Sequence, residues 1–221
     1  MQCIVTAGPT YEPLDEVRRL TNSSTGRLGS ELVNFLVAHG HEVTLLIGQH
    51  ATYRGERHAK RVETFTTTGN LRDRLRALAS PEVAAVYHAA AVSDFGFGKI
   101  WRRSPQGELT ELRSGKVSTR QGTLLAELVP TPKIIAELRQ WFPKARLVGW
   151  KYEVEGGSAG VIRLAEEQIA QCHTDACVAN GPAYGAGFAL VRSGGEVAHL
   201  PDAPALFAAL EAFIRERHEG R

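Results

Sequence analysis

The chain has 221 residues, of which 43% are hydrophobic and 23% charged, close to the average for a folded globular protein. Its formal net charge of +2 is too balanced to predict nucleic-acid binding. No apolar run approaches the roughly 18 residues of a membrane span, and no basic leader precedes the first apolar run. We therefore expect a cytoplasmic protein with neither nucleic-acid nor membrane partners.

Three cysteines, Cys3, Cys172 and Cys177, are too few and too irregularly spaced for a disulfide framework or a structural zinc site. Cys3 and Cys177 lie inside apolar runs, which predicts small buried side chains. A catalytic cysteine is the less favoured alternative, because that role needs an environment that lowers the thiol pKa.

Strand and helix patterns alternate along the first ninety residues. Strands are predicted at residues 3–7, 43–47, 62–66 and 83–88, and helices at residues 25–39 and 71–78. This order is typical of the opening of a doubly wound sheet with Rossmann-like connections.

The pattern changes at residues 95–122, where glycines and polar residues predict a loop with a β-extension. A helix follows, with Thr131 as its cap and Pro132 in its first position, ending near Trp141. The remaining predicted elements are strands at 124–129, 146–150 and 176–179, a hairpin at 188–200, and helices at 160–172 and 204–217. We predict one α/β domain over residues 1–221, with a mostly parallel sheet and a protruding β-arm at about residues 95–128.

Four segments that mix small and polar residues follow predicted strands: residues 7–10, 89–94, 150–153 and 179–181. Ligands of open α/β sheets bind beyond the carboxyl ends of the strands, and small residues let a ligand approach the backbone. The sequence therefore predicts a ligand site built from these four segments.

The connection at residues 11–25 is long, since strand–helix loops typically have about 2–6 residues. It ends in Ser24, Thr25 and Gly26 at the start of a helix. Two interpretations stay open: Ser24 or Thr25 caps the helix, or the helix start binds an anion.

A nicotinamide cofactor has fold-level support only. Gly8-Pro9-Thr10 does not form a GxGxxG motif, and the second strand ends in Ile47-Gly48-Gln49 without the acidic residue that binds an adenosine ribose.

Lys116 lies among small polar residues, between Ser114 and Thr119. The residues alone favour a solvated surface lysine. The alternative is a flexible cation that closes over a phosphate group.

Taken together, the motifs resemble those of phosphopantothenate–cysteine ligases, in the stand-alone form without a fused decarboxylase. The resemblance covers nearly the whole chain in order. Its matching segments are Thr6-Ala7-Gly8-Pro9-Thr10, Thr21-Asn22-Ser23-Ser24-Thr25-Gly26, Ala89-Ala90-Ala91-Val92-Ser93-Asp94, and residues 12–18, 115–119, 129–135, 147–151 and 178–180.

The resemblance implies a two-step ligation in coenzyme A biosynthesis. The carboxylate of 4′-phosphopantothenate attacks the α-phosphate of a nucleoside triphosphate, which releases pyrophosphate and leaves an acyl-nucleotide. The amine of cysteine then displaces the nucleotide and forms an amide. Such chemistry needs cations for the triphosphate, hydrogen-bond donors for the acyl oxygens and accurate positioning.

The resemblance also assigns residues to roles. It makes Asn22 and Lys116 catalytic, and it places Arg18, Asn22, Ala90, Ala91 and Asp94 against the substrate. Its nucleotide-binding residues are Gly8, Thr10, Ser24, Asp94, Lys116, Thr131, Pro132, Lys133, Ile134 and Trp150.

From the same resemblance we expect CTP or ATP as co-substrate, Mg²⁺ and no flavin, and a homodimer formed through the β-arm. Arg18 would reach the substrate phosphate, often across the dimer interface. The metal ligands stay unknown at this point.

The sequence departs from the family pattern at Pro9, at Gly181 and in the helix at residues 160–172. In the family that helix carries two lysines that meet the triphosphate, where this chain has Glu167 or Gln168 and Gln171 or Cys172. A diverged relative that binds nucleotide or phosphopantothenate without turnover is therefore an alternative. A Rossmann-like NAD(P)-binding protein or a regulatory nucleotide-binding module is a more distant one.

Overall fold

An eight-stranded sheet forms the centre of the computed structural model, which describes residues 1–112 and 122–219. Across this sheet the strands run in the order β13 (Val197–Leu200), β12 (Phe188–Arg192), β11 (Ala176–Asn180), β10 (Arg146–Tyr152), β6 (Val83–His88), β1 (Gln2–Ala7), β4 (Glu42–Gly48) and β5 (Arg61–Phe65). Neighbours from β11 to β5 pair in parallel, and β12 and β13 pair antiparallel at one edge.

Within the described residues, five helices cover both faces of the sheet. They are α1 (Arg27–Ala38), α2 (Thr68–Ala77), α3 (Ile134–Trp141), α4 (Gly157–Cys172) and α5 (Ala203–Glu219). In β1, Val5 packs with α1 and α5 on one face, while Ile4 packs with α2 and α3 on the other. On β11, Val178 faces the α1–α5 side and Cys177 faces α4. This alternation confirms the predicted doubly wound α/β fold.

The predicted β-arm is a separate three-stranded antiparallel sheet. It consists of β7 (Phe95–Arg103), β8 (Leu109–Leu112) and β9 (Thr123–Pro130), in the order β8-β7-β9. Apolar side chains on this sheet are exposed, including Phe95 at 46%, Leu128 at 52% and Leu109 at 54% of their surface. The strand predicted at residues 124–129 corresponds to β9, which pairs with β7 of the arm.

Two helices begin later than the sequence predicts. The N-cap of α1 is Gly26 in a left-handed conformation, and no side chain caps the helix, so neither Ser24 nor Thr25 is its N-cap. The Thr25 hydroxyl instead accepts the Arg27 amide at 3.2 Å. Thr131 does not cap α3 either, because its hydroxyl and amide donate to the carbonyls of Ser93 and Asp94, and the helix begins only at Ile134.

The three cysteines are buried, as predicted for Cys3 and Cys177. Burial raises the pKa of both of these thiols to about 12, and it also raises the pKa of Cys172. Thiolates are therefore strongly disfavoured at all three positions, which argues against a cysteine nucleophile.

None of the described helices combines the length and apolar character that crossing a bilayer would need.

The carboxyl ends of β1 and β6 are joined by side chains as well as by backbone pairing. Thr6 Oγ1 lies 2.9 Å from His88 Nδ1 and accepts the Ala90 amide at 3.1 Å. The hydroxyl can donate its single proton to Nδ1 only in the His88 tautomer that carries the imidazole proton on Nε2. Thr6 and His88 are both buried, and burial lowers the pKa of His88 to about 4.

This pKa makes folding stability depend on pH. The unfolded chain binds the proton at about pH 6.5, well above the folded value, so protonation favours unfolding as the pH falls from about 6.5 to 4. We expect this histidine to lower the free energy of unfolding by about 2 kcal/mol between pH 7 and pH 5. Urea unfolding at pH 7 and pH 5 measures the free energy of unfolding. Its decrease between these pH values should be about 2 kcal/mol smaller in His88→Gln than in wild type.

His58→Gln serves as the control, because the His58 side chain is exposed and pairs only with Glu56 in the described contacts. A wild-type pH dependence retained in His88→Gln would show that His88 does not titrate in this way.

Candidate functional site

Two loops meet beyond the carboxyl ends of β1 and β6. Their backbones continue the pairing of the strands: the Ala91 amide donates to the Gly8 carbonyl at 3.0 Å, and the Thr10 amide donates to the Ala91 carbonyl at 3.1 Å. Residues 8–10 and 89–94, which the sequence predicts to share a site, are therefore in direct contact.

Thr10 connects these two loops through hydrogen bonds of its buried side chain. Its side chain is completely buried, accepts the Ser93 amide at 2.8 Å and lies 3.2 Å from Ser93 Oγ. Thr131 donates its hydroxyl to the Ser93 carbonyl at 2.5 Å, which ties the start of α3 to the same point. With its hydroxyl engaged in this way, Thr10 supports the loops that form the surface of the site.

Glycines allow the close approach of α1 to this region. Gly8 has a φ of +78°, and a Cβ at this position would lie 2.9 Å from the Ala51 side chain. A Cβ at Gly29 in α1 would lie 2.6 Å from Ala7 Cβ. A side chain at Gly29 would push α1 away from the end of β1, whereas a side chain at Gly8 would strain the backbone and meet Ala51 in the loop after β4.

The long connection at residues 11–25 is a β-hairpin, β2 (Tyr11–Pro13) paired with β3 (Arg19–Thr21). Thr21 donates its hydroxyl to the Thr10 carbonyl at 2.8 Å, and Glu12 accepts the Thr68 amide at the start of α2. Both contacts hold the open end of the hairpin against the central loops.

Asn22 follows this hairpin at the surface of the site. Its Nδ2 donates to the Ala91 carbonyl at 3.3 Å, and its own carbonyl accepts the Ser24 amide. The structure therefore brings the predicted residues Asn22, Ser24 and Ala91 together. The Asn22 side chain stays exposed, where a ligand can reach it.

Arg18 lies in the turn of the hairpin, at the end away from Thr21. Its guanidinium donates to Asp15 Oδ2 at 2.5 and 3.0 Å, and the Asp15 side chain is only 1% exposed. Asp15 Oδ1 also accepts the Val17 and Arg18 amides. Arg18 therefore balances a buried carboxylate that shapes the turn, a contact that the sequence did not predict.

Asp94 and the residues before α3 form the side of the candidate site next to the loop that follows β6. The Asp94 carbonyl accepts the Thr131 amide at 3.0 Å, while its side chain is exposed. Pro132 and Lys133 are exposed, but Ile134 is 1% exposed and its side chain belongs to the core. Only the backbone of Ile134 can therefore face a ligand.

Three helices that start at this edge of the sheet lack a side-chain cap. Their N-cap residues are Gly26 for α1, Lys133 for α3 and Gly156 for α4, whereas Thr67 caps α2 through the Asn70 amide. Free amides in the first turn carry partial positive charge and favour anions. These helix starts therefore add partial positive charge to the edge, even where it carries few basic side chains.

The α4 positions nearest to the family's two lysines are Glu167 or Gln168 and Gln171 or Cys172, and none of these residues is a cation. Gln168 donates from Nε2 to Cys177 Sγ at 3.2 Å, and Cys172 is 1% exposed. The charges of Lys133 and Lys151 instead act at this face, since both oppose the rise in the pKa of Cys172. Lys151 lies on β10 and pairs with Glu153 at 3.1 Å.

Trp150 lies at the carboxyl end of β10 and packs against the core between α1 and α5. Its Nε1 and Asn180 Oδ1 on β11 are buried without a hydrogen-bond partner in the part of the chain that the structure describes. Lys116 lies outside the described residues.

No three His, Cys, Asp or Glu side chains within residues 1–112 and 122–219 cluster as a metal site. A shallow groove of about 400 Å³ lies away from the central loops, lined by Ser158, Tyr184, Ala186, His199, Leu200 and Pro201. None of the predicted site residues that the structure describes lines it.

Known proteins are similar to this chain in sequence and in fold. Residues 1–198 match the family described as the DNA/pantothenate metabolism flavoprotein C-terminal domain. The coenzyme A biosynthesis bifunctional protein CoaBC of Thermococcus kodakarensis is 32% identical over 181 residues, which cover 80% of this chain and 40% of that protein. The chain thus spans about two fifths of the length of this curated relative.

Two solved structures have the same fold. The DNA/pantothenate metabolism flavoprotein of Streptococcus pneumoniae superimposes with a TM-score of 0.83 at 22% identity, covering 99% of this chain and all of that one. A Cab2 mutant in complex with phosphopantothenate-cysteine superimposes with a TM-score of 0.71 at 18% identity, covering 99% and 86%. The match over residues 1–198 shows that the chain belongs to the DNA/pantothenate metabolism flavoprotein C-terminal domain family, which confirms the resemblance found in its motifs.

Proposed function

We propose that this chain is a phosphopantothenate–cysteine ligase, which joins 4′-phosphopantothenate to cysteine through an acyl-nucleotide formed from CTP or ATP. The observation that carries the proposal is the Asn22–Ala91 contact at a sheet edge where α1, α3 and α4 begin without a side-chain cap among the described residues. The names of the relatives support it, since one acts in coenzyme A biosynthesis and a protein of the same fold binds phosphopantothenate-cysteine.

In the first step, the pantothenate carboxylate attacks the α-phosphorus of the nucleotide, and the bond to pyrophosphate breaks. The uncapped starts of α1, α3 and α4 and the Lys133 side chain would stabilise the phosphate charge. Mg²⁺ is expected with the nucleotide as part of that substrate, because phosphate oxygens and water usually supply most of its ligands. Lys116 would close over the phosphates.

In the second step, the cysteine amine attacks the acyl carbonyl, the nucleoside monophosphate leaves and the amine loses a proton. Asn22 suits the carbonyl oxygen, since an amide donates a hydrogen bond without exchanging its proton. The Ala91 carbonyl holds Asn22 Nδ2 and thereby orients it. Ala90, Ala91 and Asp94 would line the pantothenate chain, and Arg18 would meet its phosphate.

The β-arm gives the protein a surface for a second copy of the chain. Phe95 and Leu128 expose about half of their surfaces there, and the register of β7 with β9 places both on one face of the arm. Burying them against a second arm would remove apolar area from water. We therefore expect a cytoplasmic homodimer.

Substrate omission tests the proposed reaction. Continuous pyrophosphate release should require phosphopantothenate, cysteine and CTP or ATP together, and mass spectrometry should detect the amide product. Without cysteine, release should stop after about one pyrophosphate per site. Nucleotide or phosphopantothenate binding without release of pyrophosphate would instead support a diverged relative without turnover.

Asn22→Asp removes the amide donor and is expected to slow amide formation about 10²–10³-fold, since one oxyanion-type donor contributes about 2.7–4 kcal/mol. The first step uses other groups, so acyl-nucleotide should accumulate in a rapid-quench measurement. Asn34→Asp is a matched control, because Asn34 also donates to a backbone carbonyl, that of Glu56, but lies on α1 away from the loops. Equal rates in both variants would remove Asn22 from the second step.

Lys151→Gln is expected to weaken nucleotide binding about 10- to 150-fold, the equivalent of one charge-assisted hydrogen bond of about 1.5–3 kcal/mol. Adding Gln168→Lys should restore part of the affinity, because the Gln168 side chain lies over Gly149, two residues before Lys151 on the same strand face. Titration calorimetry with CTP and ATP measures the dissociation constants.

Two controls separate charge from folding effects. Lys60→Gln removes a lysine that pairs with Glu42 at the surface, and should bind nucleotide as wild type does. Lys151→Gln combined with Glu153→Gln removes both partners of the ion pair, and its affinity should stay low. Wild-type affinity in that double variant would assign the effect to an uncovered Glu153.

A further inference from the structure

Thr6 receives two successive amides from the loop that follows β6. Its backbone carbonyl accepts the Ala89 amide at 3.2 Å, and its hydroxyl accepts the Ala90 amide at 3.1 Å. The chain therefore leaves the sheet at a point that the Thr6 side chain defines. An apolar side chain could accept only the first of these amides.

In the tautomer with its proton on Nε2, His88 fixes the orientation of that hydroxyl. A threonine hydroxyl has one proton, and with Nδ1 of His88 at 2.9 Å this proton has a buried acceptor. The oxygen lone pairs then face the Ala90 amide. Both side chains are buried, Thr6 at 0% and His88 at 6% exposure, so water does not compete for these bonds.

The next residue connects this pair to the surface of the site. The Ala91 amide donates to Gly8, and its carbonyl accepts both the Thr10 amide and Asn22 Nδ2. A shift of the Ala90 peptide would therefore move the carbonyl that orients Asn22. The Thr6 hydroxyl lies two hydrogen bonds and one residue away from the exposed amide.

A buried threonine is not required by the sheet itself. Thr6 follows the apolar residues Ile4 and Val5, and valine has nearly the same shape and a high strand propensity. Valine would leave the Ala90 amide and His88 Nδ1 without their partner, and an unpaired buried group costs about 1–3 kcal/mol. The hydroxyl therefore has a local function beyond filling the core.

We propose that Thr6, oriented by His88, is a positioning residue for amide formation, because it sets the Ala90–Ala91 backbone that orients Asn22. This inference rests on the proposed ligase function. Thr6 does not touch the substrates and acts only through the loop. Displacing a reacting group by about 1 Å can reduce a rate about 10²-fold.

The test compares Thr6→Val with Thr6→Ser in single-turnover amide formation from acyl-nucleotide and cysteine. Thr6→Val should be about 10- to 100-fold slower, with little change in the KM for nucleotide. Thr6→Ser keeps the hydroxyl and should stay within about threefold of wild type. Thr174→Val is the matched control, since Thr174 is a buried threonine whose hydroxyl has no partner among the described residues.

A double-variant cycle checks the route through Asn22. If Thr6 acts by orienting Asn22, Thr6→Val should add little to the loss already caused by Asn22→Asp. Fully additive losses would overturn the proposal, and so would a Thr6→Val rate equal to that of Thr174→Val. His88→Phe provides a second variant if Thr6→Val does not fold, and it should slow amide formation while leaving nucleotide binding unchanged.

Amide hydrogen exchange separates this inference from the proposed function. Exchange at Ala90 and Ala91 should be faster in Thr6→Val than in wild type, Thr6→Ser or Thr174→Val. Unchanged exchange overturns the inference, as does faster exchange with a wild-type rate of amide formation. A wild-type protein that makes no amide from the three substrates would contradict the proposed function itself, whatever the exchange measurement shows.

Discussion

The pairing of β1 with β6 continues past the ends of both strands, and the site depends on this continuation. Backbone hydrogen bonds join Gly8 to Ala91 and Thr10 to Ala91 after the strands have ended. Loops at the edge of an open sheet usually diverge, because nothing pairs their backbones. Here the buried hydroxyls of Thr6 and Thr10 satisfy the amides of Ala90 and Ser93, so the two loops stay together. The exposed Asn22 amide can be held in one place only because the two loops that support it are fixed relative to each other.

The sequence predicts the central sheet well, because each buried strand is a continuous apolar run bounded by glycine, proline or polar residues. It also identifies the segments that meet at the carboxyl edge, since parallel strands end on the same side. The hairpin of β2 and β3 escapes prediction. Its strands have three residues each, and β3 is fully exposed, so no alternating pattern marks them.

Contacts between distant residues account for the other differences. Ser24, Thr25 and Thr131 are good capping residues by type, but their surroundings decide otherwise. Thr131 donates to the Ser93 carbonyl 38 residues earlier, and Thr6 contacts His88 82 residues later. Such pairs leave no periodic signal, because each residue alone resembles an ordinary strand or cap residue. A buried threonine in an apolar strand, close to a histidine in a paired strand, is the one signal that could have suggested the second contact.

The attraction of a site for a phosphate group depends more on how many cations lie nearby than on which helix or strand carries them. At an effective dielectric constant of about 20, a unit charge interacts with another by about 4 kcal/mol at 4 Å and about 2 kcal/mol at 8 Å. A lysine moved from α4 to β10 would therefore keep much of its attraction for a polyphosphate. Lys151 pairs with Glu153 in the described contacts, so a nucleotide would have to compete with this carboxylate. An α4 without these two lysines is thus compatible with nucleotide binding, but at a lower affinity than two unpaired lysines would give.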